Sequence, residues 1–262
     1  MCFDLDSRPP IEPIAGGAHD SGEVILKAAD GASFRAFGAR PAQATGAGVL
    51  ILPDVRGLHH FFEELTLRFA EHGIAALALD YFGRTAGTGP RPADFDHQPH
   101  VAQAKWADIE GEIKAGVAYL RSDAGGAPRS TFALGFCMGG RLASVSATLG
   151  LGLAGVISFY GWPVGPSRNG TPAPAELASK IECDVLALYG AEDHAIDATM
   201  RDTFDTALDA AHVNHQTIVY PDAGHSFFDK KSPETARASE AAWEETLTFI
   251  RRHTAGQPIA AS

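Results

Sequence analysis

One cysteine of the sequence stands where a nucleophile could be presented to a substrate. Cys137 lies in the stretch Gly135-Phe136-Cys137-Met138-Gly139, between an apolar run typical of a buried strand and a segment typical of a helix. The stretch matches the strained strand-to-helix turn that raises a nucleophile at the edge of a sheet, with cysteine in place of the usual serine. The N-terminus of the following helix would favour the thiolate, which is the nucleophilic form of cysteine.

Two further residues are predicted to complete a catalytic triad. A buried structural cysteine would give the same local pattern, so the interpretation depends on these partners. Asp193 follows the apolar run 183–189, and His225 follows the run 215–221. The order nucleophile, acid, histidine is that of α/β-hydrolases. The imidazole can accept the thiol proton and return it to a leaving group, while the carboxylate would hold the imidazole in one tautomer.

Alternating strands and helices must position these three side chains. The alternation predicts an α/β fold with a doubly wound, mostly parallel sheet of the α/β-hydrolase kind. In such sheets ligands bind beyond the carboxyl ends of the strands. Two segments rich in proline and glycine, 83–100 and 161–176, leave the same edge and are expected to be loops that shape the pocket.

The sequence predicts an irregular N-terminal leader followed by a single domain. Residues 1–22 carry acids and prolines and are expected to form an irregular leader. A hairpin follows, with strands at 23–29 and 32–40 around an Asp30-Gly31 turn. No linker divides the remainder, so residues 23–262 are expected to form one domain.

Composition argues against several classes of function. The chain has 262 residues, 45% of them hydrophobic, and a net charge of −11, which disfavours a nucleic-acid partner. The three cysteines show no paired spacing, the N-terminus has no apolar signal, and no run approaches the length of a membrane span. We therefore expect a cytoplasmic protein with no membrane partner, as a monomer or small homo-oligomer.

At these motifs the chain resembles the dienelactone hydrolase family, the carboxymethylenebutenolidases. The resemblance covers about residues 23 to 252 and is carried by LILPDVRGL, ALDYFGR, LGFCMGG, YGAEDHAI and YPDAGHSFF. It implies an α/β-hydrolase fold and hydrolysis of a small lactone or ester without a metal or organic cofactor. It places the triad roles on Cys137, Asp193 and His225.

The resemblance also assigns residues around the triad. Asp54 matches a family glutamate that interacts with the resting thiol and helps to activate it, but aspartate is shorter by one carbon, or about 1.5 Å. Arg84 matches an arginine that holds the substrate carboxylate. The backbone N–H groups of Met138 and Val55 would form the oxyanion hole.

One position departs from the family. Asp229 stands where the family has a second substrate-binding arginine, and Lys230 and Lys231 follow it. An acid there would repel a substrate carboxylate unless a lysine compensates. The resemblance therefore predicts the reaction class better than it predicts the substrate.

Three functions remain open from the sequence. The leading hypothesis is a cysteine-dependent hydrolase that forms an acyl-enzyme, which water then cleaves. The alternative is a small-molecule-binding protein on a hydrolase fold with weak or no turnover, which Asp229 and the shorter Asp54 would favour. A metal protein, suggested by the eleven histidines, is disfavoured because no carboxylate–histidine helix motif occurs.

Overall fold

A computed structural model describes residues 3–4, 6–92 and 94–255 of the chain. At its centre is an eight-stranded sheet with the strand order β1-β2-β4-β3-β5-β6-β7-β8. The six neighbouring strands β4-β3-β5-β6-β7-β8 pair in parallel. The hairpin of β1 and β2 is antiparallel, and β2 pairs antiparallel with β4. The strands are β1 (Ala18–Lys27), β2 (Ser33–Pro41), β3 (Ala47–Leu52), β4 (Ala75–Leu79), β5 (Ser130–Phe136), β6 (Gly155–Phe159), β7 (Asp184–Gly190) and β8 (His215–Tyr220).

Helices cover both faces of the sheet. The aromatic side of α1 and the helix α7 pack on one face, while α4, α5 and α6 pack on the other. Every residue of β3, β4, β5 and β6 is consequently buried, which explains why these strands are continuous apolar runs. The helices are α1 (His60–Glu71), α2 (Gly83–Ala86), α3 (Gln98–Gln103), α4 (Trp106–Leu120), α5 (Met138–Ser146), α6 (Ala198–Ala210) and α7 (Ala236–His253).

This architecture confirms the predicted fold class and places the edge that matters for function. The carboxyl ends of β3, β5, β6, β7 and β8 all meet at one edge of the sheet because these strands are parallel. The segments that follow these strands therefore converge in space. Within the described ranges, no helix is both long and apolar enough to cross a bilayer.

Two boundaries of the prediction were wrong. The first strand begins at Ala18, so residues 18–22 belong to the sheet and not to an irregular leader. The polar stretch AHDSG concealed this strand because β1 is an edge strand with one side facing solvent. The segment 83–100 is not entirely a loop either, since α2 lies at its start and α3 begins at Gln98.

Candidate active site

Cys137 occupies the turn between β5 and α5 with a backbone conformation that side-chain-bearing residues rarely adopt. Its φ is 56° and its ψ is −115°. The backbone N–H of Cys137 donates to the carbonyl of Phe159 at 3.0 Å, and the residue is 2% exposed. A Cβ at Gly135 would lie 1.9 Å from the carbonyl oxygen of Gly139, and a Cβ at Gly139 would lie 1.9 Å from that of Leu52. Only glycine fits at these two positions, as the turn requires.

The histidine and the acid form a hydrogen-bonded pair. His225 Nδ1 lies 2.7 Å from Asp193 Oδ2, although the two residues are 32 positions apart in the chain. The second oxygen of Asp193 accepts from the amides of Ala195 at 2.9 Å and Ile196 at 3.2 Å. Burial acts to raise the pKa of Asp193, but the hydrogen bond and charge of His225, with these amides, outweigh it and lower the pKa.

The arrangement determines which nitrogen of His225 is available. An ionised Asp193 accepts a hydrogen from Nδ1, so the neutral imidazole carries its lone pair on Nε2. That nitrogen is buried and has no hydrogen-bond partner within the described part of the chain. It can therefore act as a base toward a neighbouring thiol or water.

The end of β6 holds both the cysteine turn and the imidazole. The carbonyl of Phe159 binds the N–H of Cys137, and the ring of the next residue, Tyr160, lies 5.0 Å from the ring of His225. Trp162 lies 4.8 Å from the same imidazole. The consecutive residues Phe159 and Tyr160 thus contact the nucleophile candidate and the base candidate, respectively, at one edge of the sheet.

The two amides predicted to form an oxyanion hole follow adjacent strands. Leu52 pairs with Gly135 in the parallel register of β3 and β5, so Val55 and Met138 each lie three residues beyond this pair. Met138 is the first residue of α5, where a backbone N–H has no acceptor within the helix. The positive end of the helix dipole lies at the same place.

Asp54 is buried and is held by two amides. Its oxygens accept from the N–H of Phe3 at 3.0 Å and the N–H of Arg56 at 2.9 Å. His59 Nε2 lies 3.9 Å from the same carboxyl group. Burial raises the pKa of Asp54 from 3.8 to about 7, although the two amide hydrogen bonds act to lower it.

This raised pKa makes the stability of the protein depend on pH. The folded state retains a proton on Asp54 between about pH 4 and 7 that the unfolded chain releases, so stability falls as the pH rises through this window. Asparagine cannot retain such a proton. The free energy of unfolding of Asp54→Asn, measured relative to that of the wild type, should therefore increase by up to about 4 kcal/mol as the pH rises through the window. Urea unfolding at several pH values measures the difference, with the exposed Asp222→Asn as control. Parallel pH curves for wild type and Asp54→Asn would contradict the expectation.

Asp229, the departure from the family pattern, holds the N-terminal segment in place. Its carboxylate accepts from the hydroxyl of Ser7 at 2.5 Å and from the amide of Arg8 at 3.2 Å. Lys230 pairs with Glu12 at 2.6 Å and Lys231 with Asp6 at 2.5 Å. The acid and its two lysines are thus engaged with residues near the start of the chain.

Phe3 packs the beginning of this N-terminal segment into the hydrophobic core. Its side chain is 2% exposed and stacks on Phe61 with a centroid distance of 3.8 Å. It also lies 5.7 Å from Phe136, the neighbour of Cys137, and 6.4 Å from Tyr160. Sequence reasoning missed this contribution because an acidic, proline-containing segment carries no periodic pattern.

Arg84 lies in a cluster of carboxylates. Its guanidinium is 2.7 Å from Asp30, 3.3 Å from Glu112 and 3.8 Å from Asp108. Burial raises the pKa of Glu112 to about 8, which the charge of Arg84 partly offsets. A substrate carboxylate would have to compete with these three acids, so the role predicted for Arg84 stays a prediction.

Arg141 organises the second loop of the site. It is buried in α5 and donates to the carbonyls of Pro172, Val164, Gly165 and Thr171 at 2.7 to 3.3 Å. The segment 161–176, which carries Trp162, is thereby tied to the helix that follows the cysteine. The sequence offered no signal for this role because a buried arginine that binds carbonyls resembles any helical arginine.

Within the described residues, no three His, Cys, Asp or Glu side chains come together as a possible metal site.

A family model described as "Dienelactone hydrolase family" matches residues 34–254. A protein of Escherichia coli K12 that carries the provisional name carboxymethylenebutenolidase is 29% identical over 231 residues, covering 85% of this chain and 84% of the relative.

Two solved structures share the fold. A provisional dienelactone hydrolase of Klebsiella pneumoniae superposes with a TM-score of 0.76 at 24% identity, covering 88% of this chain and 99% of that one. A dienelactone hydrolase-like promiscuous phosphotriesterase from metagenomic libraries gives a TM-score of 0.72 at 20% identity, covering 90% and 100%.

Proposed function

Since the chain belongs to the dienelactone hydrolase family, we propose that it hydrolyses a small lactone or ester through a Cys137–His225–Asp193 triad and an acyl-enzyme. The observation that carries this proposal is the 2.7 Å contact of His225 Nδ1 with Asp193, which leaves the buried Nε2 as a base. The strained turn at Cys137 supports it, because such turns present a nucleophile at the edge of an α/β sheet.

The first half of the reaction forms the acyl-enzyme. His225 Nε2 takes the proton of the Cys137 thiol, and the sulfur attacks the carbonyl carbon of the substrate. The N–H groups of Met138 and Val55 donate to the oxyanion of the tetrahedral intermediate. As the intermediate collapses, the C–O bond to the leaving alkoxide breaks, and imidazolium gives its proton to that oxygen.

The second half regenerates the enzyme. His225 takes a proton from water, and the resulting hydroxide attacks the thioester carbon. The C–S bond then breaks, the carboxylic acid leaves, and the sulfur recovers the proton from the imidazolium. Asp193 remains ionised throughout and stabilises the imidazolium in both halves.

Asp54 is proposed to tune the thiol before the substrate binds. With a pKa of about 7, its carboxyl group is divided between the protonated and ionised forms near neutral pH. Protonated Asp54 would not repel a thiolate, whereas ionised Asp54 would favour the neutral thiol. The amide of Phe3 contributes to this balance by donating to the carboxyl group.

Trapping the acyl-enzyme tests the proposal. The protein is mixed with p-nitrophenyl acetate, quenched in acid and digested, and the peptides are analysed by mass spectrometry. We expect an acetyl group on the peptide that contains Cys137, which disappears after prior alkylation with iodoacetamide. Release of p-nitrophenol by the protein without any Cys137 adduct would overturn the mechanism. Binding without release of p-nitrophenol would favour the small-molecule-binding alternative.

Several sequence-based expectations stay predictions. They are the cytoplasmic location, the lack of a cofactor and of a nucleic-acid partner, the state as a monomer or small homo-oligomer, and the treatment of residues 23–262 as one domain.

A further inference from the structure

A cavity separate from the triad lies at the N-terminus of α1. Its volume is about 400 Å³, and its walls come from the loop after β3, from the start of α1, from β1 and β2, and from the segment 90–97. Three guanidinium groups line it, those of Arg35, Arg56 and Arg91. The carboxylates that line it are Glu23 and Glu63.

Several side chains that line the cavity carry buried polar atoms without a hydrogen-bond partner among the described residues. The Nε atoms of Arg35, Arg56 and Arg91 are buried and make no hydrogen bond to any described residue. The same is true of both ring nitrogens of His59, whose side chain is 9% exposed. Buried polar groups are normally hydrogen-bonded, so the four side chains around this cavity leave hydrogen-bonding capacity unsatisfied.

The donors differ in how far internal carboxylates already neutralise them. Arg35 pairs with Glu23, and Arg91 lies 2.5 Å from Asp80. Arg56 has only a 3.7 Å contact with Asp4, whose side chain is 67% exposed. Among the three guanidinium groups, that of Arg56 is therefore the least neutralised by a close ion pair, although its charge also acts on the buried Asp54.

The helix adds to the positive potential. Helix α1 has twelve residues, and its N-cap residue His59 makes no side-chain capping bond. Free backbone N–H groups and the positive end of the helix dipole favour an anion at such an end. Burial, with the charge of Arg56, lowers the pKa of His59 to about 3, so its ring is neutral and can donate one N–H.

We infer that this cavity binds a small oxyanion, a carboxylate or phosphate group, with Arg56 and His59 as the principal donors. The site is close to the proposed chemistry, since Arg56 directly follows Val55 and Asp54 contacts both Arg56 and His59. The anion can therefore be a group of the ester substrate or a free ion. The first case rests on the proposed function, and the second does not.

Titration with inorganic phosphate tests the site without any catalysis. Calorimetry is performed on wild type, Arg56→Gln and Arg40→Gln, an arginine outside the cavity whose replacement removes the same charge. We expect saturable binding to wild type and Arg40→Gln, and binding weakened about 10- to 100-fold in Arg56→Gln. Arg56→Lys, which keeps the charge, should recover part of the affinity and shows that the loss is not a folding defect.

A pair of esters separates the two sources of the anion. Hydrolysis of p-nitrophenyl acetate is compared with that of mono-p-nitrophenyl succinate, which carries a free carboxylate. If the anion belongs to the substrate, Arg56→Gln raises the ratio of KM for the succinate ester to KM for the acetate ester by about 10-fold or more. If it is a free ion, phosphate binds and both esters respond alike.

The possible outcomes distinguish a failure of this inference from a failure of the proposed function. Phosphate binding that depends on Arg56, without hydrolysis of either ester, would support the site and remove the proposed function. Hydrolysis of the esters with neither phosphate binding nor an Arg56-dependent preference for the succinate ester would overturn the site and leave the proposed function intact.

Discussion

Replacing Cys137 with alanine is expected to lower kcat for ester hydrolysis by at least about 10³-fold, because the variant has no atom that can form the acyl-enzyme. The substitution should not unfold the protein, since alanine has the smaller side chain and the turn is fixed by Gly135 and Gly139. Steady-state kinetics with p-nitrophenyl acetate and thermal unfolding of the same samples measure both effects. Cys137→Ser should keep a fraction of the activity, because a hydroxyl at this turn can be activated by the same histidine.

Cys183 offers a matched control for this experiment. It is the other described cysteine, and it is partly buried just before β7. Burial and the charges of Asp184 and Glu182 raise the pKa of its thiol to about 12, so it is not a thiolate at neutral pH. Cys183→Ala should therefore hydrolyse the ester at the wild-type rate. Equal rates for wild type and Cys137→Ala would remove the cysteine mechanism altogether.

Replacing Asp193 with asparagine is expected to lower kcat by about 10³-fold or more while the protein remains folded. The amides of Ala195 and Ile196 would hold the asparagine oxygen where they now hold Oδ1. The asparagine NH₂ group would then face His225 Nδ1 and donate to it. The imidazole would carry its proton on Nε2 and could not accept one from the thiol.

Glu192 provides the control for this second substitution. It is the neighbouring acid in the chain, but it is exposed, and its amide donates to the carbonyl of Ala223. Glu192→Gln should retain wild-type kinetics, whereas Asp193→Asn should lose kcat with little change in KM. Retention of activity by Asp193→Asn together with its loss in Glu192→Gln would reassign the acid of the triad.

Much of the fold was predictable because its determinants are local. Strands buried on both faces are continuous apolar runs, and the aromatic residues of α1 recur at helical spacing. The first five residues of the edge strand β1 and the short helices α2 and α3 were missed, since solvent-facing residues and four- to six-residue helices leave little periodicity. The structure that such segments adopt depends on the neighbours that they pack against.

The sequence by itself determined the turn that carries Cys137, the order of the candidate triad and the edge of the sheet where its members fall. Glycines at two spaced positions and polar residues after apolar runs are local signals that any single sequence carries. Only the tertiary structure decided which charges are already paired. Phe3 reaches Asp54 across 51 positions, and Ser7 reaches Asp229 across 222. No local pattern encodes such long-range contacts, so the carboxylates around Arg84 and the unpartnered donors around Arg56 became visible only when the chain was folded.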